Sequence, residues 1–160
     1  MSDHTCQGIE DKGASAAVAA RRAVMSTLAR ADGGELDAML ATLAPLPEVR
    51  DLRPPEIGLV MLRGRTGGDG AAFNLGEATV SRAAVRLADG RSGFAYRLGR
   101  APAAARAAAI LDALWQGGER AAVERVIVPV AARLRAETAA VKAEVATTKV
   151  DFFTLVRGED

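Results

Sequence analysis

The alternation of apolar and polar positions divides the chain into helix-like ends around a strand-like middle. Residues 14–31 are alanine-rich, with Val24, Met25 and Leu28 on one stripe, and Asp32-Gly33-Gly34 supplies a helix stop. Leu36, Met39, Leu40 and Leu43 recur at i, i+3, i+4 and i+7, which predicts a second, shorter helix that Pro45 and Pro47 end. Residues 48–53 suit a short edge strand closed by Pro54-Pro55. Ile57, Leu59 and Met61 then point to one face and Val60 and Leu62 to the other, so residues 56–62 read as a strand covered on both sides. From Phe73 the odd positions are Phe73, Leu75, Glu77, Thr79, Ser81, Ala83, Val85 and Leu87, a face apolar at both ends and polar in the middle. Asp89-Gly90 is the favoured two-residue hairpin turn, and residues 92–98 return with Phe94, Tyr96 and Leu98 in alternation. That turn sets a register: Val85 opposite Phe94, Ala83 opposite Tyr96, Ser81 opposite Leu98, and Arg82 directly across from Arg97 with Arg86 nearby. Two like charges so placed are either splayed into water or held by an anion.

Pro102 stands near the first turn of the next helix, whose apolar face is Ala107, Ile110, Leu111, Leu114 and Trp115 and which Gly117-Gly118 ends. A helix over residues 119–126 follows, and after Pro129 a longer one runs to about residue 147 with Val130, Leu134, Val141 and Val145 as its buried stripe. Residues 150–157 carry Phe152, Phe153, Leu155 and Val156 on both faces, a strand buried in the sheet or against another chain. Phe152, Phe153, Leu155 and Arg157 are therefore interface candidates. Helices, a meander of strands, more helices and a last strand give an α+β fold, an antiparallel sheet of about four or five strands with a central hairpin, packed with N- and C-terminal helices. Residues 15–160 are expected to form a single domain behind a disordered tail over residues 1–14.

Composition changes the picture mainly by exclusion. At 160 residues, 49% apolar and 26% charged, the chain has the size and balance of one soluble domain. Twenty-one Lys and Arg against 20 Asp and Glu leave a net charge of +1, which predicts no general attraction to nucleic acid or to an anionic membrane. No apolar run reaches membrane-spanning length and no export signal opens the chain, so a cytoplasmic location is expected. His4 and Cys6 are the only histidine and cysteine and both lie in the tail. A Ser-His-Asp triad, a Cys/His zinc site, an iron–sulfur cluster or a disulfide framework within the folded part is thereby disfavoured, and no metal site is predicted.

The most distinctive stretch is residues 63–87. Gly64, Gly67, Gly68 and Gly70 do not fit the dinucleotide pattern, because Phe73 stands where its last glycine belongs, and no Gly-Lys-Ser/Thr makes a phosphate loop. These glycines suit a tight corner or bulge, with a backbone nest for phosphate oxygens as the sharper alternative. Arg63, Arg65, Glu77, Arg82, Arg86 and Arg97 are the anion- or partner-binding candidates; no catalytic residue is assigned. Glu77 and Asp151 could form a carboxylate pair, but nothing in the sequence brings them together.

Three segments carry a family resemblance: RGRTGGDGAAFNLGEATVSRAAVRL over residues 63–87, LGRAPAAARAAAILDALWQ over 98–116 and VDFFTLVRGED over 150–160. Together they resemble the G subunit of the bacterial carbon–phosphorus lyase system of phosphonate degradation, across roughly residues 21–160. The resemblance implies a small subunit of a core complex with the H, I and J subunits, linked to an ATP-binding-cassette-like L subunit, with self-association within the complex as an option. It implies a role in exchanging the adenine of MgATP for an alkylphosphonate to give ribose 1-methylphosphonate 5-triphosphate. No cofactor is implied in this chain, MgATP being a substrate of the assembly, and the nucleosidase-like chemistry is attributed to the I subunit. Three functions are thus set against one another: an interface-forming subunit, a subunit lending substrate-binding arginines to a shared active site, and a stand-alone small-ligand binding domain.

Overall fold

A computed structural model describes residues 7–65 and 70–147, with side chains from residue 16 onward. The elements in chain order are α1 (Gln7–Arg30), α2 (Gly33–Thr42), β1 (Val49–Arg65), β2 (Ala72–Leu87), β3 (Ser92–Leu98), α3 (Pro102–Trp115) and α4 (Arg120–Thr147). The strands form one antiparallel sheet in the order β1-β2-β3, and the class is α+β. Three strands are described, fewer than expected, because the predicted fourth, residues 150–157, lies outside the described residues. No described helix is long and apolar enough to cross a membrane.

Helix α3 is the centre of the molecule. Ala104, Ala105, Ala107–Ala109, Ile110, Leu111 and Ala113–Trp115 are all buried, so this helix is apolar nearly all round, as a helix enclosed by others must be. One side lies on β2 and β3, covering Val85, Leu87 and Ala95; α1, α2 and α4 close over the rest with Leu28, Leu36, Met39, Val123, Ile127 and Val130. Alanines here let backbones approach closely. At Gly93 of β3 an added Cβ would land on the Ala109 carbonyl and beside Ala113, so only glycine fits where α3 presses on the strand.

Several boundaries differ from the pattern-based expectation. α1 begins at Gln7, well before residue 14, so its first turns occupy part of the stretch expected to be a tail. Asp32 does not simply end α1: its backbone N–H donates to Glu35 Oε2 at 2.8 Å, so it opens α2 as well. The edge strand and its successor are one 17-residue strand, β1, running through Pro54-Pro55 with register shifts between Asp51 and Glu56. An edge position makes this possible, since a proline there forfeits no ladder bond. Likewise α4 is a single helix with Pro129 inside it. The interior proline costs about 3 kcal/mol, but Val123 and Ile127 before it and Val130 and Leu134 after it are buried on one continuous face. Val141 and Val145, predicted to complete that stripe, are exposed, because α4 outruns the body it packs on.

The turn between β2 and β3 is the most consequential correction. Leu87 donates to the Arg91 carbonyl and Gly90 to the Leu87 carbonyl, so the loop holds three residues, Ala88, Asp89 and Gly90, with Gly90 at φ 92°. Asp89 Oδ1 accepts the Arg91 N–H, an Asx-type bond that favours the longer loop. The register is therefore one residue off the expected one: Ala84 faces Phe94, Arg82 faces Tyr96 and Ser81 faces Arg97. A one-residue slip exchanges faces, so Gly93, Ala95 and Arg97 turn toward the helices while Phe94, Tyr96 and Leu98 turn away.

Candidate functional site

Past Leu98 the third strand ends, but β1 and β2 continue as a two-stranded ribbon from Leu59↔Thr79 to Arg65↔Ala72. Ile57, Leu59 and Met61 oppose Ser81, Thr79 and Glu77, so they prolong the helix-facing side of the sheet beyond the helices. The expectation that this strand is covered on both sides is overturned: Ile57 is 50% exposed, Leu59 60%, Met61 53% and Leu75 62%, with Leu62 and Phe73 also exposed. A bulge between Leu62 and Arg63 leaves Leu75 unpaired beside Gly76, whose φ of 152° suits glycine. A two-stranded ribbon is marginal in water by itself, and five exposed apolar side chains, Leu59, Met61, Leu62, Phe73 and Leu75, make this one a candidate interaction surface.

Gly64 and Gly70 stand at the far end of this ribbon. Gly64 packs so closely under Leu75 that a Cβ would collide with it, and Arg65 donates to the Gly70 carbonyl at 3.1 Å. Residues 66–69, which include Gly67 and Gly68, lie outside the described residues. Arg63 opposes Asn74 and Glu77 opposes Met61, so the far end of the ribbon is basic with one carboxylate.

The other arginine candidates part company. Arg82 is not across from Arg97; its Nε donates to Glu56 Oε1 at 2.7 Å in a row Glu56–Arg82–Tyr96 across the sheet, and these contacts raise its pKa. Arg97 is buried and its guanidinium donates to the carbonyls of Leu28 and Ala31 at the end of α1, where carbonyl groups lack helical partners. Burial lowers its pKa, opposed by the nearby Asp32. Arg91, just before β3, does the same for α3, donating to the Leu114 carbonyl at 3.0 Å and to Glu119 at 2.7 Å. Like charges do face each other, but at Arg50 and Arg86, both exposed; Arg86 donates to Ser92 Oγ at 3.3 Å.

Sequence reasoning missed Asp112. It is fully buried in α3, receives both Nε and Nη2 of Arg21 at 2.9 and 2.7 Å, and accepts the Phe94 backbone N–H at 3.0 Å. The pairing raises the Arg21 pKa, the hydrogen bond it donates to Asp112 being the largest cause. A lone carboxylate inside the apolar run AILDALW was the signal. Above this pair an open groove of about 730 Å³ runs between one face of α1 (Val18, Arg21, Arg22, Met25, Ser26) and Phe94 and Tyr96 of β3. Phe152, Phe153, Leu155, Arg157 and Asp151 lie outside the described residues, so the interface and carboxylate-pair expectations that rest on them do too. Among the described residues no group of three or more His, Cys, Asp or Glu side chains is gathered to hold a metal ion.

The site is thus an apolar ribbon with a basic end, and most described arginines are engaged within the fold. The family model described as phosphonate metabolism protein PhnG matches residues 19–158. A relative from Rhizobium meliloti (strain 1021), alpha-D-ribose 1-methylphosphonate 5-triphosphate synthase subunit PhnG, is 55% identical over 146 residues, which is 91% of this chain and 94% of the relative. The chain therefore belongs to the PhnG family of phosphonate-metabolism proteins.

Proposed function

We propose that the chain is an interface-forming subunit of a cytoplasmic assembly that transfers an alkylphosphonate to the ribose C1 of MgATP, releasing adenine and forming ribose 1-methylphosphonate 5-triphosphate. The relative named as a subunit of that synthase supports the reaction, and the resemblance supports the H, I and J subunits as companions and the L subunit as a functional link. The observation that carries the role is the β1–β2 ribbon, which places Leu59, Met61 and Leu75 in water, whereas the helices cover that face of the sheet at Ala83, Val85 and Leu87. Chemistry is supplied by the companions: most carboxylates among the described residues are drawn into pairs such as Arg82–Glu56, Arg106–Asp51 and Arg133–Glu35, which leaves those poorly placed for proton transfer.

Reconstitution tests this. Leu59→Asp with Met61→Asp is expected to leave the melting temperature of the isolated chain unchanged, to abolish co-elution with the H, I and J subunits, and to abolish phosphonate-dependent adenine release with it. Normal assembly of that variant refutes the role. A second reading, a subunit lending its own arginines to a shared substrate site, draws on the facing pair Arg50 and Arg86. Under it Arg86→Ala assembles normally but turns over at least about tenfold more slowly, since a bidentate phosphate contact is lost.

A further inference from the structure

The charges of α4 are sorted by side. Toward α2, Arg133 pairs with Glu35 and Glu137. Toward α1, the helix presents Arg135 and Lys142, and the positions three and four away from either hold Ala131, Ala132, Thr138, Ala139, Val145 and Ala146, so helix geometry gives neither cation a carboxylate neighbour. Glu137 and Glu144 follow Arg135 by about half a turn and about two and a half turns, which puts both on the far side of the helix. Arg30, the last residue of α1, reaches the same space. Its Nη2 donates to Thr138 Oγ1 at 3.3 Å, and Thr138 donates to the Leu134 carbonyl at 2.7 Å, so the hydroxyl spends its one hydrogen on the helix and its oxygen steadies the guanidinium. Asp32, the carboxylate nearest to Arg30 in sequence, stands 3.8 Å from Arg133 instead. Arg30, Arg135 and Lys142 thus share an open groove of about 420 Å³ with Leu134, Thr138 and Ala139, and none of the three cations has an ion pair among the described residues.

Three cations without counter-charges in one groove repel one another, and an anion that bridges them relieves that repulsion. Spacing selects the anion. Arg135 and Lys142 lie about 10 Å apart along the helix axis, with Thr138 and the Arg30 it holds between them. A single phosphate is too short to engage both ends, whereas a run of linked phosphates meets all three, the arginine forks taking oxygens in pairs and Lys142 acting as a point charge. We propose that the groove between α1 and α4 is a binding site for an oligophosphate anion, held by Arg30, Arg135 and Lys142. A free inorganic oligophosphate and the phosphate arm of a nucleotide share that chemistry. The inference rests on the charges of this groove alone and stands whether or not the apolar ribbon docks the companion subunits.

Titration calorimetry on the full chain, without other subunits and at low salt, is the test. Inorganic tripolyphosphate is expected to bind at least about tenfold more tightly than inorganic phosphate. Arg135→Gln and Lys142→Gln, at exposed positions where glutamine keeps the helix propensity, are each expected to weaken tripolyphosphate at least about fivefold. Arg125→Gln is the control for general charge: Arg125 is an exposed residue of α4 outside the groove, and its loss is expected to change the affinity less than about twofold. ATP bound no more tightly than tripolyphosphate assigns the site to a free phosphate chain, and ATP bound more tightly assigns it to a nucleotide; either supports the proposal. Absence of tripolyphosphate binding, inorganic phosphate bound as tightly, or an equal loss of affinity from Arg125→Gln would each overturn it.

Discussion

At the scale of single residues, Arg97 shows how a charge that reads as a binding group becomes a structural one. It neutralises the carbonyl end of α1 from inside the protein, so Arg97→Met is expected to cost about 2 kcal/mol by leaving buried carbonyls without their charged donor. Lysine should not restore it, because a single ammonium cannot span the Leu28 and Ala31 carbonyls as the planar fork does. Asp112→Ala is expected to cost about 2–3 kcal/mol, since the Phe94 N–H loses its acceptor while Arg21, a third exposed, exchanges its partner for water. Urea midpoints at constant m-value measure both, and an Arg97→Lys midpoint equal to the parent's would refute the capping role. That Arg97 is charged was visible in the sequence; that it faces inward was not, because its direction hangs on the register of a turn some residues away.

At the scale of elements, periodicity located the helices well and their surroundings poorly. Leu36 and Met39 are buried and Leu40 and Leu43 pack against the core as their spacing implied, and the stripe of α3 is the core itself. The strand pattern at Ile57, Leu59 and Met61 was equally legible, but alternation reports only that a face is apolar, not what covers it. The hairpin illustrates the same limit more sharply. Asp-Gly favours a two-residue loop, yet the Asp89 side chain bonds forward to Arg91, Arg91 reaches the end of α3, and Gly93 must lie under Ala109, all of which choose the three-residue loop. Tertiary contact overrode local turn preference. Gly90, at φ 92°, should then be intolerant of a branched side chain: Gly90→Val is expected to lose about 1–2 kcal/mol, and to do so without altering the exposure of Tyr96 as read by quenching of its fluorescence in a Trp115→Phe background. A slip to the two-residue register would bury Tyr96, and that outcome would mean that the turn residues, rather than the contacts of Arg91 and Gly93 with α3, set the register.

At the scale of the whole molecule, ion pairs tie together elements that share little apolar area. Arg133 of α4 donates to Glu35 of α2 through Nε and Nη2 at 2.9 and 2.7 Å, and Arg91, at the foot of β3, holds Glu119, just before α4, and Asp89 in the hairpin turn. These contacts depress the carboxylates below their ordinary values of 4.5 for Glu35 and Glu119 and 3.8 for Asp89, with Arg133 the main cause for Glu35, Arg91 for Glu119 and the Arg91 backbone N–H for Asp89. A carboxyl group held lower in the folded than in the unfolded chain favours folding fully only above its unfolded pKa. That contribution fades as pH falls through the folded value, because the unfolded chain takes up protons first. The melting temperature is therefore expected to be level from about pH 8 to about pH 5.5 and to decline as the solution passes below about pH 4.5, more steeply at low salt, where exposed pairs are less screened. Glu35→Gln combined with Glu119→Gln lowers the plateau slightly and flattens the acid limb, since two of the groups that release stability on protonation are gone. Scanning calorimetry of parent and double variant between about pH 3 and about pH 8 decides it. An acid limb of unchanged slope in the double variant would mean that the ties from α2 to α4 and from the hairpin to the α3–α4 corner are ornamental, and that the alanine-rich core alone sets the acid stability of the chain.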